Sequence, residues 1–467
     1  MTLHISDTRT GEKRPFTPLD ETVRIYVCGM TPKAPPHAGH GFMFVHMDVV
    51  RRYLEYRGYK VRHLQNFTDI DDKIIDRARA VGQDPLEYAE EQTRAYFDVL
   101  DRLRVRHAHE YPTVTGSMSA IVAAVQHLID RGVAYATSQG VYFSVPDFPD
   151  YGSLSGRTDE LGVEAGARVE VDPEKRDPRD FALWKLAPDD EIGWDSPWGR
   201  GRPGWHIECS TMIQTAFGNQ IDIHGGGADL IFPHHENEIA QSEAGSGESP
   251  FVRHWLHTGL LQTEGEKMAH SAGNYTTLAD VLEVVEPDVL RLFFLSVHYR
   301  TAMGFSMEAL QPSASAYERL RSILRARGGD PSGDAETLAA ASGQAQREFE
   351  SAMDDDFNAP RAIGALFELG RSINRAAPSA TPAAVTEAQA CLRDLLGVLG
   401  IEVGEGTADA ADAAPYIELL VEIRGMAREA RQWELADRVR DRLADLDVVL
   451  EDGPDGTIWR RKAPTDP

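Results

Sequence analysis

RIYVCGMTPKAPPHAGHGFMFVHMDVVRRYLEYRGYKVRHLQNFT, residues 24–68, is the stretch on which the fold turns. Residues 24–31 are a short apolar run of strand type, and 32–41, PKAPPHAGHG, form a Pro- and His-rich loop. From Phe42 the apolar residues recur at helical spacing until Gly58, and YKVRHLQNFT (59–68) has the character of a second strand. Strand, helix and strand in that order open a parallel α/β sheet. The intervening loop then lies where free N–H groups and the helix dipole attract anions. In PHAGHG (36–41), Gly39 lets the backbone approach closely while His37 and His40 can donate to phosphate oxygens. A tight turn with incidental histidines fits the same residues.

Downstream the character changes. Residues 112–200 are rich in turns and β-alternation, as in GVYFSVPDFPDYGSLSGR (140–157), and read as an insertion that returns to the α/β domain near Trp205. Residues 199–204 formally match the G-x-G-x-x-G of dinucleotide sites, but neither a strand before them nor a helix opening on them is expected, so that reading is set aside. From 308 onward apolar residues recur at i, i+3 and i+4, with breaks at 328–334 and 377–384. A polar, small-residue linker (403–415) leads to a compact C-terminal unit, 416–467.

A chain of 467 residues exceeds the size at which one core stops growing, so several domains are expected. It has no apolar run long enough to span a membrane and no signal-peptide core at its N-terminus, so a cytoplasmic protein is expected. A net charge of −26 argues against general polyanion binding, although local basic patches decide docking on nucleic acid. Three cysteines in a chain of this size make no disulfide framework. Cys391, in AQACLRDLLGVLGI, lies among apolar residues at helical spacing and reads as a core thiol.

Cys28 and Cys209 keep other company. FPHHENEIAQ (232–241) sets His234 and Glu238 four apart, on one face of a helix whose first turn suits Pro233. An imidazole, a carboxylate and two thiolates make a ligand set of the kind zinc takes. Spacing alone does not bring the four together, and a surface hydrogen bond is the other reading of the His–Glu pair. Three consecutive glycines precede Asp229 in IDIHGGGADL (221–230), a loop able to run beside a ribose or purine with the acid accepting from hydroxyls. The imidazoles of His224 and His235 are read as supporting or nucleotide-facing groups. In RGMAREARQWELADRVRDR (424–442), six arginines accompany four acids, Arg424, Arg428 and Arg431 share a helical face, and Trp433 offers a stacking surface for an unpaired base. A solvated, salt-bridged face fits that pattern too.

Taken in order, YVCGMT…PHAGHG, NFTDIDDKII, DFALWK, GRPGWHIECS, DIHGGGADLIFPHHENEIAQ, KMAHSAGN, MDDDFNAP and EDGPDGTIWRRK resemble the motifs of cysteinyl-tRNA synthetases. The resemblance covers essentially the whole chain. It implies an α/β, class I synthetase fold, with a Rossmann-like catalytic domain in two halves (1–111 and 201–250) around a connective insertion (112–200). A stem-contact region with a KMSKS-like loop (251–307), an all-α helical bundle (308–402), the linker and a small anticodon-binding domain (416–467) follow.

The resemblance further implies an ATP-dependent cysteine–tRNA ligase working on L-cysteine, ATP with Mg2+, and tRNA(Cys), as a monomer without membrane contact. By position, Cys28, Cys209, His234 and Glu238 match the ligands of one Zn2+ per subunit. That zinc would take the substrate sulfur and so tell cysteine from serine without editing. Thr31, Thr68 and Trp205 match the amino-acid pocket. His37 and His40 match the HIGH signature, with Gly39 and Asp229 beside the nucleotide, and Lys267 matches the first lysine of KMSKS. Trp433, Asp437 and Arg440 fall where the family contacts the anticodon.

Some positions depart from the family. In EGEKMAHSAGNY (264–275) His270 stands for the second lysine and Ala269 for the serine before it, while Phe42 stands where Arg or Lys is common. Lys33 is a cation that could compensate. Loss of one charge-assisted contact costs about 1.5–3 kcal/mol, which leaves room for a catalytically weakened tRNA-binding paralogue. A ligase joining cysteine to a small amine is the other rival, because it would keep the same adenylation site but would not need the tail.

Overall fold

Buried and half-buried residues alternate at the start of Thr22–Met30 and give way to a run of buried ones, the mark of a strand covered on both faces. In the computed structural model, which describes residues 2–157, 173–263, 266–267, 277–404, 410–446, 448–453 and 456–461, this strand is central. Lys60–Phe67 pairs along one edge and Ile221–Gly227 along the other, with Val252–Thr258 beyond, and all four run parallel. The helix Ala38–Tyr56 joins the first two strands. It opens at Ala38 rather than at Phe42, because the His37 and His40 rings accept from each other's backbone N–H at 3.3 and 3.1 Å and so cap it.

Phe42 is fully buried, edge-on to His46 and Phe294 with centroids 4.6 and 5.9 Å away. It is a core residue here, packed between the helix start and Pro287–Phe294.

A second, antiparallel sheet is built from Ala134–Ala136, Gly140–Phe143, Phe181–Leu186 and Gly201–Pro203. Against expectation, a strand and a helix do adjoin the glycines of 199–204: Gly201–Pro203 is followed at once by Trp205–Phe217. The strand pairs antiparallel, however, so this is no βαβ turn. A small sheet of Leu261–Thr263, Glu266–Lys267 and Met303–Gly304 follows the parallel one. Helices Gln311–Arg325, Glu336–Met353, Ala359–Ala376 and Pro382–Val398 then form the bundle. Cys391 packs half-buried against its core, with its thiol 3.9 Å from the Ser342 carbonyl.

Residues 404–467 are a separate compact unit. Helices Ala410–Glu429 and Trp433–Ala444 and the hairpin Val448–Gly453/Gly456–Arg461 enclose a small core of Ile417, Leu443 and Val448. The first helix takes up the end of the stretch read as linker, whose alanines favour it. Among the described residues no helix is long and apolar enough to cross a membrane.

Candidate functional site

Four elements each contribute one candidate ligand. Cys28 lies near the end of the central strand, Cys209 in Trp205–Phe217, His234 in the irregular turn Ile231–His235, and Glu238 in the first turn of Glu236–Ser246. One donor atom from each lies within 4.8 Å of the others, and all four residues are buried. The two sulfurs are 3.8 Å apart, Cys28 Sγ is 3.7 Å from Glu238 Oε1, and His234 Nε2 is 3.0 Å from the same oxygen.

His224 and His235 turn inward to these ligands rather than outward to a nucleotide. His224 Nε2 meets Glu238 Oε2 at 3.0 Å, and His235 Nε2 lies 3.3 Å from Cys28 Sγ, so Cys28, His224, His235 and Glu238 form a second donor group. Two imidazoles missed in the sequence complete the web: His206 Nδ1 is 2.9 Å from His234 Nδ1, and His257 Nε2 is 2.7 Å from His235 Nδ1. Position beside Cys209 in WHIECS was the one signal for His206. His257 had none.

The electrostatics suit a cation. Burial pushes the Cys28 thiol well up, whereas a hydrogen bond from Cys28 brings Cys209 down to about 6. Burial opposes charge on His234, yet Cys209 and Glu238 raise it to about 10. Burial likewise opposes charge on Glu238, which His224 and His234 hold at about 2. A proton on His234 thus offsets only one of the two negative charges of a thiolate and a carboxylate, which leaves room for a divalent ion. Two sulfurs, one nitrogen and one oxygen are compatible with zinc, and His224 on the second carboxylate oxygen orients that ligand from outside.

Beside this group stands Trp205, 44% exposed, its ring 4.2 Å from that of His234. Thr68 is buried and donates to Glu208 Oε2 at 2.9 Å, next to Cys209 in the chain. Burial pushes the Glu208 carboxyl well above the usual range. Thr31 is half-buried just after the strand that carries Cys28.

On the nucleotide side, the His37 and His40 rings stack at 3.8 Å. Each Nδ1 accepts a backbone N–H, which puts the ring proton of the neutral tautomer on Nε2 as the donor edge. Gly39 sits in the same turn, with the His37 ring packed where a side chain would stand. The glycines expected to form a loop before Asp229 are strand instead: Gly225, Gly226 and Gly227 pair with Leu256, His257 and Thr258. Asp229 is exposed on the short turn that follows. Lys267 pairs with Gln262 through its backbone, while its side chain, and His270 altogether, lie outside the described residues. Thr277 is bridged to His37, and the Leu278 N–H donates to the Pro36 carbonyl at 2.8 Å.

In the C-terminal unit Trp433 is 56% exposed at the start of its helix. Asp437 and Arg440 pair at 3.3 Å on the surface. Arg424 does not share an exposed face with Arg428 and Arg431: it is buried and donates to Thr457 Oγ1 of the hairpin at 3.3 Å.

The parallel sheet, the capped His-Ala-Gly-His helix start and the buried Cys/His/Glu group agree with the resemblance to class I aminoacyl-tRNA synthetases, and the family match places the chain in that class. Residues 15–315 match the family described as tRNA synthetases class I (C) catalytic domain, and 348–403 match the DALR domain. Among solved structures, Mycobacterium tuberculosis methionyl-tRNA synthetase in complex with methionyl-adenylate is similar in fold (TM-score 0.61, 17% identity, 82% of this chain and 90% of that one). The cysteine–tRNA ligases of Dehalococcoides mccartyi strain BAV1 and Heliobacterium modesticaldum are 45% and 44% identical, over 98% and 99% of this chain and 100% of each relative. The chain belongs to the cysteine–tRNA ligase family.

Proposed function

We infer that this chain activates L-cysteine with ATP and transfers the cysteinyl group to tRNA(Cys). The buried Cys28–Cys209–His234–Glu238 group beside Trp205 carries the reading. Cys28, Cys209, His234 and Glu238 would hold one Zn2+ per subunit, and that ion would supply a soft site that favours a thiolate over a serine hydroxyl. The chain's own residues hold that site dry and fixed. His224 and His206 orient Glu238 and His234, and Thr31, Thr68 and Trp205 border the amino acid.

In the first step a carboxylate oxygen of cysteine attacks the α-phosphorus of ATP, which arrives with Mg2+, and the bond to pyrophosphate breaks. His37 and His40 donate from Nε2 to phosphate oxygens, Lys267 and His270 cover the departing pyrophosphate, and Gly39 and Asp229 border the nucleoside. In the second step a terminal ribose hydroxyl of the tRNA attacks the carbonyl carbon and AMP leaves. We read the connective insertion as running from 112 through the strand Gly201–Pro203 that completes its sheet, not ending at 200, and the stem-contact region as 259–307, because Val252–Thr258 is a strand of the catalytic sheet. Residues 416–467 are the anticodon-binding domain, with Trp433, Asp437 and Arg440 at the bases.

Two assays on the zinc-loaded protein test this. Cysteine-dependent exchange of pyrophosphate into ATP, together with transfer of labelled cysteine to a tRNA bearing a GCA anticodon, is expected. Exchange without transfer favours the small-amine ligase, and absence of both ends the enzyme reading.

A further inference from the structure

Glu236 lies between two ligand positions but serves a different contact. It is fully buried, and its carboxylate is met by three backbone N–H groups: Gly152 at 2.9 Å from Oε1, and Leu154 and Ser155 at 3.2 and 2.8 Å from Oε2. Leu154 is also 3.4 Å from Oε1. One residue on, Asn237 Oδ1 accepts from the Tyr151 hydroxyl at 2.6 Å. Two residues before His234, the Arg157 guanidinium lies over the Phe232 ring, 5.1 Å from its centroid. Residues 151–157 therefore grip the ligand-bearing chain on both sides of His234.

That chain does not support itself. Phe232 (φ −137°, ψ 132°) interrupts the helical turn Ile231–His235, and no side chain caps the helix Glu236–Ser246. Helical hydrogen bonding alone thus leaves the His234 ring underdetermined. A buried carboxylate is costly unless its lone pairs are filled. Here they are filled by a loop, which converts one charge into a fixed relation between the insertion and the ligand turn.

We propose that Glu236 is a positioning residue, locking residues 151–157 against the His234–Glu238 turn and so setting the ligand spacing and the seat of the substrate thiol. The proposal rests on the reading of this centre as a zinc and cysteine site.

Glu236→Gln keeps the shape but turns an amide NH2 towards backbone donors. The variant is expected to lose zinc to a chelator about tenfold faster. In pyrophosphate exchange its KM for cysteine should rise about tenfold while kcat stays within about twofold. Amide hydrogen exchange at Gly152, Leu154 and Ser155 should accelerate, and Glu236→Asp should recover part of each effect. Accelerated amide exchange with zinc loss and KM both unchanged would mean that Glu236 merely holds a loop, and the proposal falls. If Glu236→Gln does not fold, Glu236→Asp decides, because it keeps the carboxylate but draws it back from the three N–H groups. It should speed zinc loss in the same sense, and no change overturns the proposal. Wild-type protein that binds no stoichiometric zinc, or shows no cysteine-dependent exchange, strikes the underlying reading instead.

Discussion

Arg291 and Asp48 form an ion pair that is wholly shut off from solvent, with the guanidinium donating to Asp48 Oδ2 at 2.7 Å. The guanidinium also donates to the Leu103 carbonyl at 2.9 Å and to the Leu399 carbonyl from two nitrogens, at 2.8 and 3.3 Å. Asp48 also accepts from the Arg52 side chain at 2.8 Å and the Arg106 N–H at 3.0 Å. The helix Ala38–Tyr56 is thereby tied to Pro287–Phe294 and to the end of the bundle. Gly400 completes the arrangement: its φ is +69°, and a Cβ there would stand 2.1 Å from the guanidinium.

A buried pair is weak evidence for net stability, but removing one partner strands the other. Arg291→Met is expected to cost about 3 kcal/mol of unfolding free energy in urea titrations. Gly400→Ala should cost about 1–3 kcal/mol through its strained backbone and the displaced guanidinium. Because both act on one side chain, the double variant should cost less than the sum. Strict additivity would show that the two sites are independent.

Acid sensitivity should begin above the carboxylate range. Burial pushes His46 and His63 down to about 3, and neither ring nitrogen of His63 has a hydrogen-bond partner among the described residues. The unfolded chain takes up these protons near pH 6.5 and the folded chain does not. The stabilisation is therefore present above 6.5 and lost as pH falls from 6.5 towards 3. Each site should contribute a slope of about 1.4 kcal/mol per pH unit. His63→Leu should remove one such increment between pH 6 and 4, and an unchanged slope would mean that His63 is protonated in the folded state.

What was legible in the sequence follows from the range of the forces involved. The strand–helix–strand unit shows because its apolar period switches within a few residues, and His234 with Glu238 shows because one helical turn separates them. The helix start was misplaced because imidazoles rather than Ser or Asp cap it. The run Gly225–Gly227 looked like a loop by composition, yet pairing with Val252–Thr258 holds it as strand. His206, His257 and Glu236 escaped notice because their partners, at His234, His235 and 152–155, are brought close by tertiary folding alone.

Stripping the metal should expose opposing titrations. With His234 raised to about 10, its stabilisation is complete below pH 6.5 and is lost as pH rises through 10. Cys209, lowered to about 6, contributes stability that is full above about 9 and lost as pH falls through 6. The two nearly cancel between about 7 and 9. Above that, His234 and the buried Cys28 thiol both act against the folded state. Chelator-treated protein should therefore hold a flat urea midpoint from pH 7 to 8.5 and fall by pH 10. Cys209→Ser should abolish zinc retention. A midpoint that rises to pH 10 would contradict the assignment of these protons.

We propose that His270 stands in for the second lysine of the KMSKS signature, setting an imidazole, mostly neutral at pH 7 unless phosphate raises it, where the family has a permanent cation. Adenylation should therefore weaken from pH 6 to 8, and His270→Lys should raise it by about tenfold at pH 8 while flattening the profile. A pH-independent rate, with no gain from lysine, removes His270 from the pyrophosphate.

We propose that the C-terminal unit serves tRNA recognition apart from the chemistry. Trp433 is largely exposed without being needed for the small core of Ile417, Leu443 and Val448, so its ring is available for stacking. Trp433→Ala should cost about 1–3 kcal/mol in tRNA binding, read as a raised KM for tRNA in the transfer assay. Cysteine-dependent pyrophosphate exchange should be unchanged. Asp437 and Arg440 hold each other on the surface, and exposed pairs of that kind contribute little to folding. Asp437→Asn should accordingly leave stability alone yet change the KM for tRNA if Arg440 must choose between its neighbour and a base. An effect of Trp433→Ala on exchange as large as that on transfer would show that this unit acts on the catalytic domain rather than on tRNA.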